Sequence, residues 1–168
     1  MPRFVLLISL LCGIAGIIGA QPGTPGSHLR PLHREAVERW LSGRKLALRI
    51  ATLADCTNRE GLAITREERG KAYHPYYVVG DFNGDRKEDF AVALVDPRKR
   101  KLRFAVAIFN GPVAGQSPPA YFEANWDLRD GGLFEGGGGI IVGPFESDNC
   151  VILRPRGKKY VAKDCLDK

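Results

Sequence analysis

A short acidic segment between two apolar runs carries the residue types best suited to hold a metal ion. Oxygen-bearing side chains recur at relative positions 1, 3, 5 and 9, and the carbonyl at position 7 adds another oxygen. The five residues are Asp81, Asn83, Asp85, Lys87 (through its carbonyl) and Asp89. Calcium takes about six to eight hard oxygen ligands, and a divalent cation relieves the repulsion among neighbouring carboxylates. The spacing predicts a structural calcium site, because four side-chain donors in one loop leave no evident open position for a substrate.

The segment is not an EF-hand loop, which has Gly at position 6 and Glu at position 12. This chain has Arg86 and Val92 there, and the flanking runs are typical of strands rather than helices. The residues Gly80-Asp81-Phe82-Asn83-Gly84-Asp85, followed by Asp89-Phe90-Ala91-Val92, instead resemble the strand–loop–strand repeats known as FG-GAP or VCBS repeats. Those repeats occur in integrin α-chain propellers and in many exported bacterial proteins, and their loop binds calcium. The resemblance implies the same five residues as calcium ligands.

The resemblance covers a single copy, about residues 79–94, and it departs from the family in two ways. The family repeats the motif to build a propeller, so we do not expect a propeller here. The family also usually has Gly where Arg86 stands. If that position is left-handed, arginine costs about 1–2 kcal/mol there.

A metal-free turn is the alternative interpretation of the same residues. Asn83-Gly84 is a strong hairpin-turn signal, and aspartates are common in turns because they hydrogen-bond their own backbone. The sequence leaves both interpretations open.

A basic run, opened by Asp96-Pro97, is predicted to form the tip of the next hairpin. It contains Arg98, Lys99, Arg100, Lys101 and Arg103. Such a cluster can contact phosphates or sulfated glycans, although no aromatic residues interleave it for base stacking. A solvated hairpin tip is the simpler interpretation, and a basic module or inhibitor that binds a polyanion is the alternative.

Catalytic residue patterns are sparse. The serines lie in no nucleophile elbow, and the three histidines have no metal-ligand spacing among themselves. His74 precedes the strand that enters the acidic loop, so a metal-dependent hydrolase using His74 and that loop is one alternative function. We expect instead an exported non-catalytic domain with a structural or interaction role, whose partner is an extracellular protein or an anionic glycan rather than a nucleic acid.

Residues 1–20 have the pattern of a secretory signal peptide. Arg3 provides the positive charge, residues 4–11 the apolar core, and small residues lead to a predicted cleavage after Ala20. Removal of this leader lowers the formal net charge from +6 to +5, since it holds one arginine and no acid. We therefore predict a secreted or periplasmic protein with no later membrane span.

Three cysteines follow the leader. Cys150 and Cys165 are placed symmetrically about the predicted turn at residues 156–158, so they can face each other across a hairpin. Export favours disulfides. We predict a Cys150–Cys165 bridge with Cys56 left free.

The remaining pattern predicts the elements that position these residues. Residues 21–30 are predicted to be a flexible Pro/Gly linker, and apolar residues then recur at helical spacing from Leu32 to Leu41. Residues 57–74 are expected as a surface connection and the glycines of residues 131–139 as a mobile loop. Seven strand-like runs are predicted near residues 76–79, 89–95, 102–109, 121–126, 140–142, 150–153 and 159–162. The predicted fold is one α+β domain over residues 31–168, with an N-terminal amphipathic helix packed on an antiparallel sheet of about five to seven strands.

Overall fold

A computed structural model describes residues 25–44, 46–113 and 118–166 of the chain. The predicted leader and its cleavage site lie outside the described residues. The described elements, in chain order, are α1 (Pro31–Arg44), β1 (Arg49–Ile50), a 3₁₀ turn (Leu53–Asp55), α2 (Arg59–Arg69), β2 (Tyr77–Gly80), β3 (Asp89–Val95), β4 (Phe104–Phe109), β5 (Tyr121–Trp126), β6 (Gly131–Gly136), β7 (Gly139–Pro144), β8 (Val151–Arg156) and β9 (Lys159–Asp164). Neither described helix is long and apolar enough to cross a membrane.

The predicted fold class is wrong. In the described part of the chain the protein is mostly β, with two antiparallel sheets of five and four strands and only two short α-helices. The expected architecture of one helix on one sheet does not describe it, because the strands divide between two layers. The sequence pattern predicts strands but does not predict which strands share a sheet. It therefore missed the division of the strands between two sheets.

The first sheet is built around β3 and β4, whose residues are all buried. β3 pairs with β4 on one side and with both β1 and β2 on the other, while β5 pairs with β4. One face of this sheet packs on α1, where Val37 and Trp40 join a core with Phe90 and Phe109. A strand pair covered on both faces is expected to be apolar throughout, which explains the uninterrupted run Phe90–Val95.

The second sheet is the meander β6-β7-β8-β9. Its inner face packs on the first sheet, where Leu133, Ile140 and Leu153 share a core with Ala91 and Ile108. Cys150 and Cys165 lie at the open end of the β8–β9 hairpin with their Cα atoms 5.3 Å apart and form a disulfide, as predicted. Cys56 is free and buried.

Two segments differ from their sequence predictions for identifiable reasons. The glycines expected as a mobile loop form β6 and the turn into β7. A Cβ on Gly131 would lie 2.0 Å from the Gly143 carbonyl oxygen, so this strand needs glycine for close backbone approach. Residues 57–74, expected as a surface connection, contain α2. Asn58 caps this helix by accepting the Gly61 N–H at 2.8 Å, and the helix buries Leu62.

Candidate functional site

The acidic loop joins β2 to β3, and the antiparallel pair Gly80–Asp89 closes it. Phe82 is buried and anchors the loop to the core between the two sheets. The rest of the loop from Gly84 to Glu88 is exposed. The base of the loop is therefore anchored to the core, and its tip faces solvent.

Three side chains of the loop fold it by accepting hydrogen bonds from its own backbone. Asp81 Oδ2 accepts the Arg86 N–H at 2.8 Å, and Asn83 Oδ1 accepts the Asp85 N–H at 2.9 Å. Asp85 Oδ1 in turn accepts the Lys87 N–H at 2.9 Å. One carboxylate oxygen of Asp81 and one of Asp85 remain without a hydrogen bond among the described residues, so each aspartate keeps an oxygen for a ligand.

Asp89 has a different role from the other acidic residues of the loop. Its side chain is fully buried and accepts the Phe82 N–H at 3.1 Å, the Asn83 N–H at 3.3 Å and the Gly111 N–H at 2.8 Å. Burial raises the pKa of this carboxyl, and the three backbone donors oppose that shift. Asp89 therefore fastens the start of the loop to the segment that follows β4.

Arg86 adopts the left-handed conformation, with φ of 64°. Gly84, two residues earlier, has φ of 75°. The position where the resembled family usually has glycine thus has a backbone conformation that favours glycine.

Tyr160 of β9 is a residue of the second sheet that lies near the acidic loop. Its hydroxyl donates to Asn110 Oδ1 at 3.0 Å. Burial raises the pKa of Tyr160, and the negative charges of Asp89, Asp85 and Asp81 raise it further. The sequence pattern could not link Tyr160 to the loop, because Tyr160 is about seventy residues from Asp89 and lies on the other sheet.

The donor set consists of hard oxygens, which fits calcium chemically. As the loop stands, however, no group of three or more His, Cys, Asp or Glu side chains in the described residues is arranged to hold a metal ion. The hydrogen bonds above direct one oxygen each of Asp81 and Asp85 toward the loop backbone. Metal binding would require Asp81 and Asp85 to rotate in their exposed positions.

His74 lies away from the acidic loop, because it precedes β2 and the loop follows β2. Its ring stacks on His28 with centroids 3.6 Å apart, and its Nδ1 accepts the Tyr76 N–H at 3.3 Å. Burial lowers the pKa of His74 to about 3. This histidine is a packed, neutral side chain at the opposite end of the strand from the aspartates.

Three of the five cations of the basic run at the β3–β4 turn contact nearby side chains. Arg98 is paired with Asp96 at 2.8 Å, and Lys99 Nζ donates to Asn125 Oδ1 at 2.7 Å. Arg103 donates to Asp55 at 2.9 Å, beside Arg49 on the same carboxylate. Arg100 and Lys101 are exposed. Three of the five cations therefore have local partners.

No protein-family model, curated protein or solved structure matches this chain.

Proposed function

We propose that the chain is an exported, non-catalytic domain in which the acidic loop binds calcium and stabilises the junction of the two sheets. The observation that carries this proposal is the closed loop between β2 and β3, in which Asp81 and Asp85 are exposed and each uses only one carboxylate oxygen for the loop backbone. Asp81, Asp85 and Asp89 belong to one loop, and their negative charges raise the pKa of Tyr160. Neighbouring carboxylates repel one another, and a divalent cation offsets that repulsion. The resemblance of the loop to FG-GAP and VCBS repeats points to the same ion.

The proposed ligands divide into two groups by their surroundings. Asp81, Asn83 and Asp85 lie on the solvent side and bring oxygens that can turn toward an ion, with the Lys87 carbonyl beside them. Asp89 holds the base of the loop through its three backbone donors. In this arrangement Asp89 orients the loop, and the exposed residues provide most of the exchangeable oxygens.

Neither alternative function has comparable support in the contacts. A hydrolase at the acidic loop would lack its histidine, because His74 lies at the other end of β2 and is stacked on His28. A polyanion-binding tip at Arg98–Arg103 would have to draw on side chains that already hold Asp96, Asn125 and Asp55.

The test compares calcium-dependent melting of the wild type with that of Asp85→Asn. The substitution removes one charge at nearly constant shape, so it should weaken the calcium shift and leave the metal-free protein as stable or slightly more stable. Asp148→Asn, at an exposed turn of the second sheet, is the matched control and should keep the full shift. Equal calcium shifts in Asp85→Asn and the wild type would refute the assignment of Asp85 as a ligand.

Magnesium provides the ion control. It is smaller, demands near-octahedral geometry and gives up its waters reluctantly. We therefore expect a much smaller shift with magnesium than with calcium at the same concentration.

A further inference from the structure

The outer face of the second sheet is strongly basic toward the turn of the β8–β9 hairpin. Leu153 and Tyr160 are buried in the core, so the neighbouring positions in each strand face outward. The register pairs Arg156 with Lys159, Arg154 with Val161 and Ile152 with Lys163. Arg154, Arg156, Lys159 and Lys163 therefore lie on one face, which we call the hairpin face, with Lys158 at its turn.

The cations of the hairpin face are exposed and unpaired. Arg154, Arg156, Lys158, Lys159 and Lys163 are all exposed. Within the described ranges of the chain, none of their side chains forms an ion pair or a hydrogen bond. This contrasts with the β3–β4 turn, where three of five cations are held by local partners.

No acidic residue stands on the hairpin face in the four described strands. The neighbouring strands contribute glycines there, together with Phe134 and Ile141. Asp164 pairs with Val151 and so belongs to the inner face of β9. The acidic residues Glu146 and Asp148 belong to the β7–β8 connection, at the disulfide end of the hairpin. Glu68 of α2 lines a pocket with Phe134, Ile141, Glu146 and Asp148. Positive charge is thus concentrated at the turn end, where the described strands contribute no acidic residue to the face.

We propose that the hairpin face binds a linear anionic polysaccharide, of the kind that carries sulfate or carboxylate groups along its length. Residues two apart in a strand are separated by about 6–7 Å, and directly opposed residues by about 5 Å. The face therefore offers a ladder of cations to a chain of closely spaced anions. The arginine fork binds planar or tetrahedral oxyanions through paired hydrogen bonds, and Arg154 and Arg156 supply two such forks.

The face fits a polysaccharide better than a nucleic acid. Single-stranded nucleic acids bind through aromatic side chains on which the bases stack, and no aromatic side chain stands among these cations. Tyr160 is buried and Phe134 is covered by Tyr73, with which its ring stacks at 5.5 Å.

The experiment measures binding of a fluorescein-labelled heparin oligosaccharide to the full folded protein by anisotropy. The test variant is Arg154→Gln/Arg156→Gln/Lys159→Gln. The control is Arg44→Gln/Arg59→Gln/Lys71→Gln, which removes the same charge from exposed positions elsewhere. Melting temperatures verify that both variants are folded.

We expect the hairpin variant to lose about tenfold or more in affinity, and the control variant much less, with binding that weakens as salt rises. Fully desulfated heparin should bind far more weakly than heparin. Equal losses in the two triple variants would overturn the proposal, since they would reflect net charge alone. Absence of heparin binding by the wild type, or tighter binding of duplex DNA or of phosphatidylserine vesicles, would overturn it as well.

Discussion

Arg86 combines a left-handed backbone with a hydrogen bond that holds it there. Its φ is 64°, and its N–H donates to Asp81 Oδ2 at 2.8 Å. A side chain in this conformation costs about 1–2 kcal/mol relative to the right-handed one. Hydrogen bonds offset this strain, because Asp81, Asn83 and Asp85 each accept a backbone N–H of the same turn.

Arg86→Gly should therefore stabilise the metal-free protein. Glycine removes the left-handed strain, but it also adds unfolded-state entropy worth about 0.5–1 kcal/mol, so we expect a net gain of about 0.5–1 kcal/mol. Urea unfolding in the presence of a chelator measures it. The control is Gly84→Ala. At this position φ is 75° and an added Cβ would meet open space, so the substitution adds only left-handed backbone strain. The free energy of unfolding should therefore fall. A destabilised Arg86→Gly protein would show that the arginine side chain holds the loop.

At the scale of elements, histidines connect the start of α1 and the segment before it to β2 and the segment before β2. His28 stacks on His74, and His33 Nδ1 lies 2.7 Å from the Tyr77 hydroxyl. The predicted linker therefore ends in residues with defined contacts, among them the buried Leu29. Arg30 and His33 also meet Glu88, which connects this segment to the acidic loop.

The stacked histidines predict a loss of stability in mild acid. Burial lowers the pKa of His28 to about 4 and that of His74 to about 3, from an ordinary value of 6.5. Between pH 6.5 and 4 the unfolded chain takes up protons that the folded chain does not, so stability falls as the pH falls. Each histidine contributes at most about 1.4 kcal/mol per pH unit in this window.

The variant that tests this effect is His74→Asn, whose side-chain oxygen can accept the Tyr76 N–H in place of Nδ1. Chemical denaturation at a series of pH values should show a shallower decline between pH 6.5 and 4 than in the wild type. Burial also raises the pKa of Asp89 and lowers that of His33, but both groups are present in the two proteins, so the difference between the slopes reports on His74. Identical slopes in the two proteins would contradict the assignment of the acid sensitivity to His74.

The sequence predicted β3, whose side-chain pattern determines its structure. It did not predict β6, whose structure depends on close packing of the backbone. The run Phe90–Val95 is apolar on both faces and forms the buried strand β3. Gly131 and Gly132 have no side-chain pattern, yet they belong to β6, where Gly143 and Pro75 approach too closely for any Cβ. β6 is the one described strand of the second sheet that the sequence pattern did not predict.

At the scale of the whole molecule, two sheets share one core and the acidic loop lies at their junction. The spacing of Asp81, Asn83, Asp85 and Asp89 could be found in the sequence because they belong to one loop. Tyr160 and Asn110 could not, since they reach the loop only after the second sheet packs on the first. The left-handed backbone at Arg86 was anticipated only through the family resemblance.

The disulfide secures the last hairpin of the second sheet. Cys150 and Cys165 are 15 residues apart in sequence, and closing such a loop stabilises a protein by roughly 3 kcal/mol. Reduction should therefore lower the melting temperature in calorimetry. The Cys150→Ser/Cys165→Ser variant should melt at the reduced temperature with or without reductant, and Cys56 should stay unreactive until unfolding because it is buried. No change on verified reduction would mean that the hairpin holds without its bridge.

The calcium claim is tested most directly by isothermal titration calorimetry of chelator-treated protein. Calcium should bind with one site per chain, and the stabilisation should follow mass action, reaching about 2.7 kcal/mol at a hundredfold excess over the dissociation constant. The heat should diminish strongly in Asp85→Asn and persist in Asp148→Asn. No heat with millimolar calcium, together with an unchanged melting temperature, would show that the loop is a metal-free turn held by its own aspartates.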